Sequence, residues 1–564
     1  MKEKKTRNPK RKWVVFLAVL MAVAALAVAG YFIARAVAQS LIQSEIQTRS
    51  DWNIDTGDVA DREAAQQVTV YTAPVEASID VIQIVPDEYE EEGFTYYDED
   101  VQDRLAYTLL DLTRKESYTL ESPLAVLNPF GTGSNGLYMY FRTDAPTRVT
   151  YTVHVEDESI PDYTATVNNQ GADADGYSRL QEFLLIGLVP GMENTVTLSA
   201  ETRQQGTAYA FTIDMPESAS GYASQLEVED GGADVGQLSD GLFYAMGFGD
   251  YYGYTFFFDN EGVLRYEMVL EGYHSDRFLW DDDGSLITCV GSRKVARINR
   301  FGQVAQVYGL GQYELHHDIN WGPEGTILAL ATDTEGETVE DQVLKIDLTT
   351  GEVSHVVDFT QVLQSYFEET RPVQATDPFG LWSEGEWDWL HLNSLQYVEE
   401  DNAIIVSSRE TSTIIKATLE EEPQIQWMAG NPDFWEGTDF ASYSLEAEGD
   451  FLFQYGQHDV EQMDADQVEK LGFAPAEEGK IYLRLYNNNY YAMSSRDDFQ
   501  VEVPDEVSTS STVDGEANSH VYFYLVDENE GTFTLVDSFD LPYSSLVSNA
   551  QDTGDTFVVN NGVS

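Results

Sequence analysis

A glycine turn running into an apolar strand recurs along the C-terminal part of the chain, as NEGVLRYEM, FGQVAQVYG and TTGEVSHVV, with glycines at Gly262, Gly302 and Gly351. A second set interleaves with it: DDGSLITCV, PEGTILALA, EDNAIIVSS, EGKIYLRLY and TGDTFVVNN. Steps of 40 and 49 residues in the first set, and of 41 between Gly284 and Gly325 in the second, fall in the ~40–50-residue range of four-stranded propeller blades. One such repeat cannot bury its own apolar face, whereas several stacked in a ring can. With YTFFFDN as an opening member the strand units number six, so residues 235–564 read as a six-bladed β-propeller. In that architecture the inner strands and their loops face one axial funnel, where residues distant in sequence can converge.

Upstream, GLYMYFRT, RVTYTVHVE and NTVTLSAET alternate apolar and polar residues between turns, the pattern of a β-sandwich over residues 111–218. A composition 42% hydrophobic and 12% aromatic, rich in Tyr and Phe, suits strands better than helical bundles. Residues 37–110 read as a stalk and an acidic linker, the run PDEYEEEGFTYYDEDVQD at 86–103 belonging in a solvated loop. The fold class is thus all-β, with one helical exception at the N-terminus. There a basic tail, residues 1–12, precedes Trp13 to Ile33, which carry no charge. As a helix this run is roughly 31 Å long, enough to cross a bilayer core. AVA at 36–38 resembles a cleavage site, but the run exceeds the ~7–15 residues of a signal-peptide core. Residues 13–36 therefore read as an uncleaved transmembrane helix. The tail would stay in the cytoplasm, leaving a single-pass cell-membrane protein with its large domains outside.

The formal charge is −67, from 98 Asp and Glu against 31 Lys and Arg, seven of which precede residue 13. Such a surface repels phosphate backbones, which excludes nucleic acid as a partner. Cys289 is the sole cysteine, so no intrachain disulfide can form and stability rests on packing.

Histidine is scarce, eight in 564 residues. Four short segments in separate repeats carry the informative residues: ELHHDIN (His316, His317), DWLHLNS (His391, Asn393), SSRET (Arg409) and YGQHDVE (His458). Each adjoins an inner-strand candidate. His154, His274, His355 and His520 lack such company and read as structural. Three readings of the cluster stand. A three-histidine zinc site is one, opposed by the nearby guanidinium and by the absence of His-x-His or HExxH spacing. Histidines bonded between blades are another. The third is an anion-transfer site, in which the arginine fork and imidazole N–H groups hold the oxygens of a sulfate or phosphate ester while a neutral imidazole attacks the central atom. That chemistry needs no metal and no nucleotide cofactor, consistent with the lack of a phosphate-cradling G-x-x-x-x-G-K-[ST].

The segments LHHDINWGPEGTILALATD, DWLHLNSLQYVEEDNAIIVSSRETSTIIKA, IQWMAGNPDFW and FQYGQHDV resemble the bacterial arylsulfate sulfotransferases that work without a nucleotide sulfate donor. PLAVLNPFGTGSNGLYMYFRTDAPTRVTYTV and LLIGLVPGMENTVTL resemble the N-terminal sandwich of the same family, so the likeness spans roughly residues 110 to 560. The resemblance implies ping-pong transfer of a sulfuryl group from a phenolic sulfate ester to a phenolic acceptor through a sulfohistidine, in a homodimer. It places the nucleophile on His458, sulfuryl-binding groups on His317, His391 and Arg409, and a further polar position on Asn393. Between His316 and His317 the preference is His317, which directly precedes Asp318. A non-catalytic ligand-binding propeller and a sulfatase using water are the competing readings. The family's soluble members carry a cleaved signal and a disulfide, from which this chain departs.

Overall fold

A computed structural model describes residues 67–228, 241–248, 252–271, 277–373, 385–491, 493–496, 501–512, 515–552 and 556–562. The expected basic tail, the membrane helix at 13–36 and the stalk up to residue 66 lie outside the described residues, as does His274. Among the described residues no helix is long and apolar enough to cross a membrane.

The N-terminal unit is an eight-stranded sheet built on one long strand, Leu137–His154. Residues 137–147 of that strand pair with Ser178–Leu185 and residues 148–154 with Glu193–Glu201, and its register shifts between Arg142 and Thr147 where it passes from one layer to the other. The two-residue period of a strand decides what each side chain meets. Leu137, Met139 and Phe141 enter the core between the layers, whereas Tyr138 and Tyr140 point the opposite way, into a second core under a helix.

That helix, α1 (Glu99–Lys115), begins where Asp98 accepts a hydrogen bond from the Val101 N–H at 3.1 Å, with Glu99 and Asp100 in its first turn and Arg114 and Lys115 in its last. Each of these features stabilises a helix end. Leu105, Ala106, Leu109 and Leu110 are buried against Tyr138, Tyr140 and Phe301, the last belonging to the propeller. Gln102 completes the joint: its amide donates to the Phe130 carbonyl and its oxygen accepts from the Val304 N–H, both at 3.0 Å. The segment read as stalk and acidic linker therefore holds, within residues 67–110, two strands of the N-terminal sheet (Val68–Thr72 and Val81–Pro86) and most of α1. The acids at its end form a helix start instead of a solvated loop.

Five blades follow. Blade 1 has three strands, Phe243–Phe248, Gly253–Phe258 and Leu264–Leu270. Blades 2, 3 and 4 have four each, opening with Phe278–Trp280, Tyr313–Trp321 and Leu392–Val398. Blade 5 has five, from His458–Gln462 at one edge to Glu446–Ala447 at the other. Asn549–Asp552 pairs with Phe557–Asn560 in a last, two-stranded sheet. Among the described residues the ring thus has five blades where the sequence suggests six. The six strand units do each form the second strand of a sheet, but a glycine turn and a strand mark only a hairpin, and the sixth hairpin gains no further strands. It bridges the ends of the ring: Ala550 N–H donates to Asp459 of blade 5 at 3.0 Å, and the Gln551 side chain bonds Tyr244 of blade 1.

Neighbouring blades stack face to face. In Ala403–Ser408 of blade 4 all six residues are buried, because Ile404 and Val406 pack on blade 3 while Ile405 packs on blade 5. A strand covered on both faces reads as a continuous apolar run, as AIIV does. At the joint between ring and N-terminal unit, Leu109 is fully enclosed. Leu109→Ala is expected to lower stability by about 2–5 kcal/mol, seen as a lower denaturant midpoint for the full chain.

Candidate active site

The opening strands of blades 3, 4 and 5 lie side by side: the Asn320 amide donates to the Leu395 carbonyl, and the Asn393 amide to the Gln457 carbonyl, each at 2.8 Å. All three strands break register at the scarce residues, between Leu315 and Ile319, between Leu392 and Ser394, and between His458 and Glu461. At or just before each break a non-glycine residue takes a left-handed conformation, His317 at φ 54°, His391 at 51° and Asp459 at 52°. A bulge of this kind re-aims a side chain that a regular ladder would send into a face of the sheet. The rings meet as a result. His317 lies 4.7 Å from His391 and 6.4 Å from His458, centroid to centroid.

His391 sits between two carboxylates, its Nδ1 2.6 Å from Asp388 Oδ2 and 2.6 Å from Glu340 Oε2. Burial and the Arg409 charge disfavour protonation, but the two carboxylates outweigh them and lift this imidazole to about 9. Arg409 follows the strand Ala403–Ser408, is 1% exposed, and brings its guanidinium to 3.7 Å from Asp388. Its backbone N–H donates to the His391 carbonyl at 3.2 Å. Asp388 and Glu340 thus balance the charges of His391 and Arg409. Beside Arg409, the buried Glu410 carboxyl is pushed up to about 7, first by burial and then by Asp388.

His458 has the opposite character. Its Nδ1 lies 2.7 Å from Asn488 Oδ1 and 3.1 Å from the Gly456 carbonyl oxygen. Burial, helped by the charges of Arg409 and His391 and opposed by the Asn488 bond, pushes it down to about 3. His317 is the most open of the three, with 21% of its side chain exposed, though burial still drives its imidazole well below the ordinary range. The site therefore holds a cationic imidazole and a guanidinium beside neutral imidazoles.

Beneath it, Arg277 pairs with Asp318 at 2.7 Å and approaches Asp459 at 3.9 Å, while Arg484 pairs with Glu461 at 2.5 Å and approaches Asp459 at 3.7 Å. Burial raises Asp318 to about 6 against the pull of Arg277. The aspartates of HHD and QHD thus pin strands. Asp318 also accepts the Leu395 N–H at 2.9 Å.

The structure brings together His317, His391, Arg409 and His458. Asn393 stands beside them, its Nδ2 tied to residue 457. His316 is buried behind His317, with the two Nδ1 atoms 3.1 Å apart, so His317 is the member of the pair that reaches the other rings. His154 and His520 pair with Asp162 and Asp540, and His355 bonds the Val357 carbonyl, as structural residues do. Sequence reasoning missed Asp388, Glu340 and Asn488. Asp388 could have been found in DWLHLNS, three residues before His391; Glu340 and Asn488 sit just outside strands, in segments without a pattern. Among the described residues, two overlapping sets could ligate a cation, His316, His317 and Glu340, and Glu340, Asp388 and His391.

Comparison with known proteins gives the family. Residues 227–564 match the arylsulfotransferase (ASST) family, and residues 124–216 match the arylsulfotransferase Ig-like domain. The arylsulfate sulfotransferase AssT of Escherichia coli O6:H1 is 21% identical over 326 residues, covering 50% of this chain and 51% of that protein. This chain therefore spans about half the length of that relative. A protein from Lactobacillus plantarum aligns at 12% identity, 71% of this chain and 97% of the other, with a TM-score of 0.28. The WD40 domain of Toxoplasma gondii coronin aligns at 8% identity over 56% and 61%, with a TM-score of 0.29. Scores that low bear on neither fold nor activity. Because the family match covers more than half of the chain, and the Ig-like match adjoins it, this protein belongs to the arylsulfotransferase family.

Proposed function

We propose that the protein moves a sulfuryl group from a phenolic sulfate ester to a phenolic acceptor by way of a sulfated His458. The observation that carries the reading is the meeting of His317, protonated His391 and Arg409 around a neutral, buried His458. A sulfate ester is a tetrahedral anion, and its oxygens suit the guanidinium and imidazole donors. A ring nitrogen lone pair of His458 attacks sulfur, forming an N–S bond as the S–O bond to the aryl group breaks. His391 gives its proton to the departing phenolate. The acceptor phenol then returns a proton to neutral His391 while its oxygen attacks the sulfur, and the N–S bond breaks to restore His458. Transfer to water would run the same first half and differ only in the acceptor.

Placement of the protein belongs to the same proposal. The uncharged run from Trp13 to Ile33 behind a Lys/Arg cluster supports an anchor in the cell membrane with the ring outside the cytoplasm.

Purified protein given 4-nitrophenyl sulfate and phenol, without nucleotide or added metal, is expected to release nitrophenol and form phenyl sulfate. His458→Ala should lower that rate by about a thousandfold or more, and the label from radioactive donor should map to His458. Undiminished release in the variant sinks the assignment, and release independent of phenol makes the enzyme a sulfatase. With His391 protonated up to about 9, single-turnover cleavage of unsubstituted phenyl sulfate should fall above that pH. Cleavage of 4-nitrophenyl sulfate, whose leaving group needs less protonation, should fall less.

A further inference from the structure

The amide of Asn488 has only one way to face. Asn488 is fully buried at the end of the blade 5 strand Lys480–Asn487, and its Nδ2 donates to the Ser544 and Val547 carbonyls at 2.9 and 3.0 Å. Both are acceptors only, so the nitrogen is committed to them and Oδ1 must face His458, 2.7 Å from its Nδ1. The second group at that nitrogen, the Gly456 carbonyl, is also an acceptor only. Gly456 is fixed in turn: its φ is 62°, and a Cβ there would lie 2.5 Å from the Tyr490 carbonyl oxygen. Two acceptors on one side of a neutral imidazole leave a single arrangement of its proton.

We propose that Asn488 is a positioning residue for His458: it holds the ring in the Nδ1–H tautomer, so that Nε2 carries the lone pair and is the atom that receives the sulfuryl group. The inference rests on the functional reading above and names the atom that reading leaves open. An amide suits the task better than a carboxylate. When Nε2 bonds to sulfur the ring becomes cationic, and the Nδ1–H bond to Oδ1 strengthens as that charge develops. In the resting enzyme a neutral acceptor leaves the ring unprotonated, whereas a carboxylate would favour the proton that blocks attack. The contrast lies in the same site, where Asp388 and Glu340 keep His391 charged.

Three measurements test this. In the resting full-length protein labelled with 15N-histidine, with His458→Ala identifying the signal, the His458 nitrogens should show Nδ1 protonated and Nε2 bare; the reverse pattern overturns the inference whatever the enzyme's activity. In Asn488→Ala, kcat should fall about a hundredfold while KM for the aryl sulfate changes little and the melting temperature stays near that of the parent. In the isosteric Asn488→Asp, the acid limb of the single-turnover rate should move up by roughly one pH unit or more, a shift that loss of packing would not produce. Coincident acid limbs in Asn488→Asp and the parent overturn the role of Asn488. If the parent itself transfers no sulfuryl group, the functional reading fails, and the nitrogen signals still decide the tautomer.

Discussion

A partly buried guanidinium shared between two carboxylates ties the ring together. Arg277 enters just ahead of blade 2, Asp318 lies on blade 3 and Asp459 on blade 5. Asp318 also accepts the blade 4 Leu395 N–H, and Asp459 that of Ala550 in the terminal hairpin. One polar knot therefore reaches four blades and the closing hairpin. Buried pairs of this kind contribute little net stability, since desolvation cancels much of their attraction, but removing one partner costs about 3–5 kcal/mol. What the knot fixes is register. The ladders are broken at these same strands, and the knot holds Asp318 and Asp459, the residues directly after His317 and His458.

With the strands pinned, three imidazoles of one chemical type acquire different charges. His391 is cationic because two carboxylates face it, and His458 is neutral because it is buried beside the charges of Arg409 and His391 with no carboxylate facing it. On the proposed mechanism, this pairing of a charged donor with an uncharged nucleophile lets one residue type serve two roles in one transfer. The same mechanism requires a strongly acidic protein to hold an anion. Long-range repulsion from the surface is screened beyond about 8 Å at physiological salt, whereas Arg409 and His391 are buried, where each charge counts for more.

Much of this was legible because histidine is rare and the repeats state which segments face inward. ELHHDIN, DWLHLNS and YGQHDVE each pair an inner-strand position with a scarce side chain, and that suffices to bring the rings to one place. The number of blades was less legible: a hairpin signature cannot report whether two more strands follow, and TGDTFVVNN has the signature without them. In α1, Val101, Leu105, Leu109 and Leu112 already had helical spacing, but the acidic run before them dominated the reading. Asn488 could not be found at all. Its partners Ser544 and Val547 lie more than fifty residues on, and one asparagine of the run Asn487 to Asn489 looks like the next until the fold separates them.

The joint made by α1 has a bearing on how the molecule could be taken apart. The segments that match the two family descriptions meet between residues 216 and 227, which invites a cut there. Yet the helix that covers Phe301, and the glutamine that accepts the Val304 N–H, belong to the upstream piece. An excised ring would present an aromatic ring and an unsatisfied amide to water on its flank. The two matched segments share a core at this joint, so exchanging either one would carry part of the seam with it.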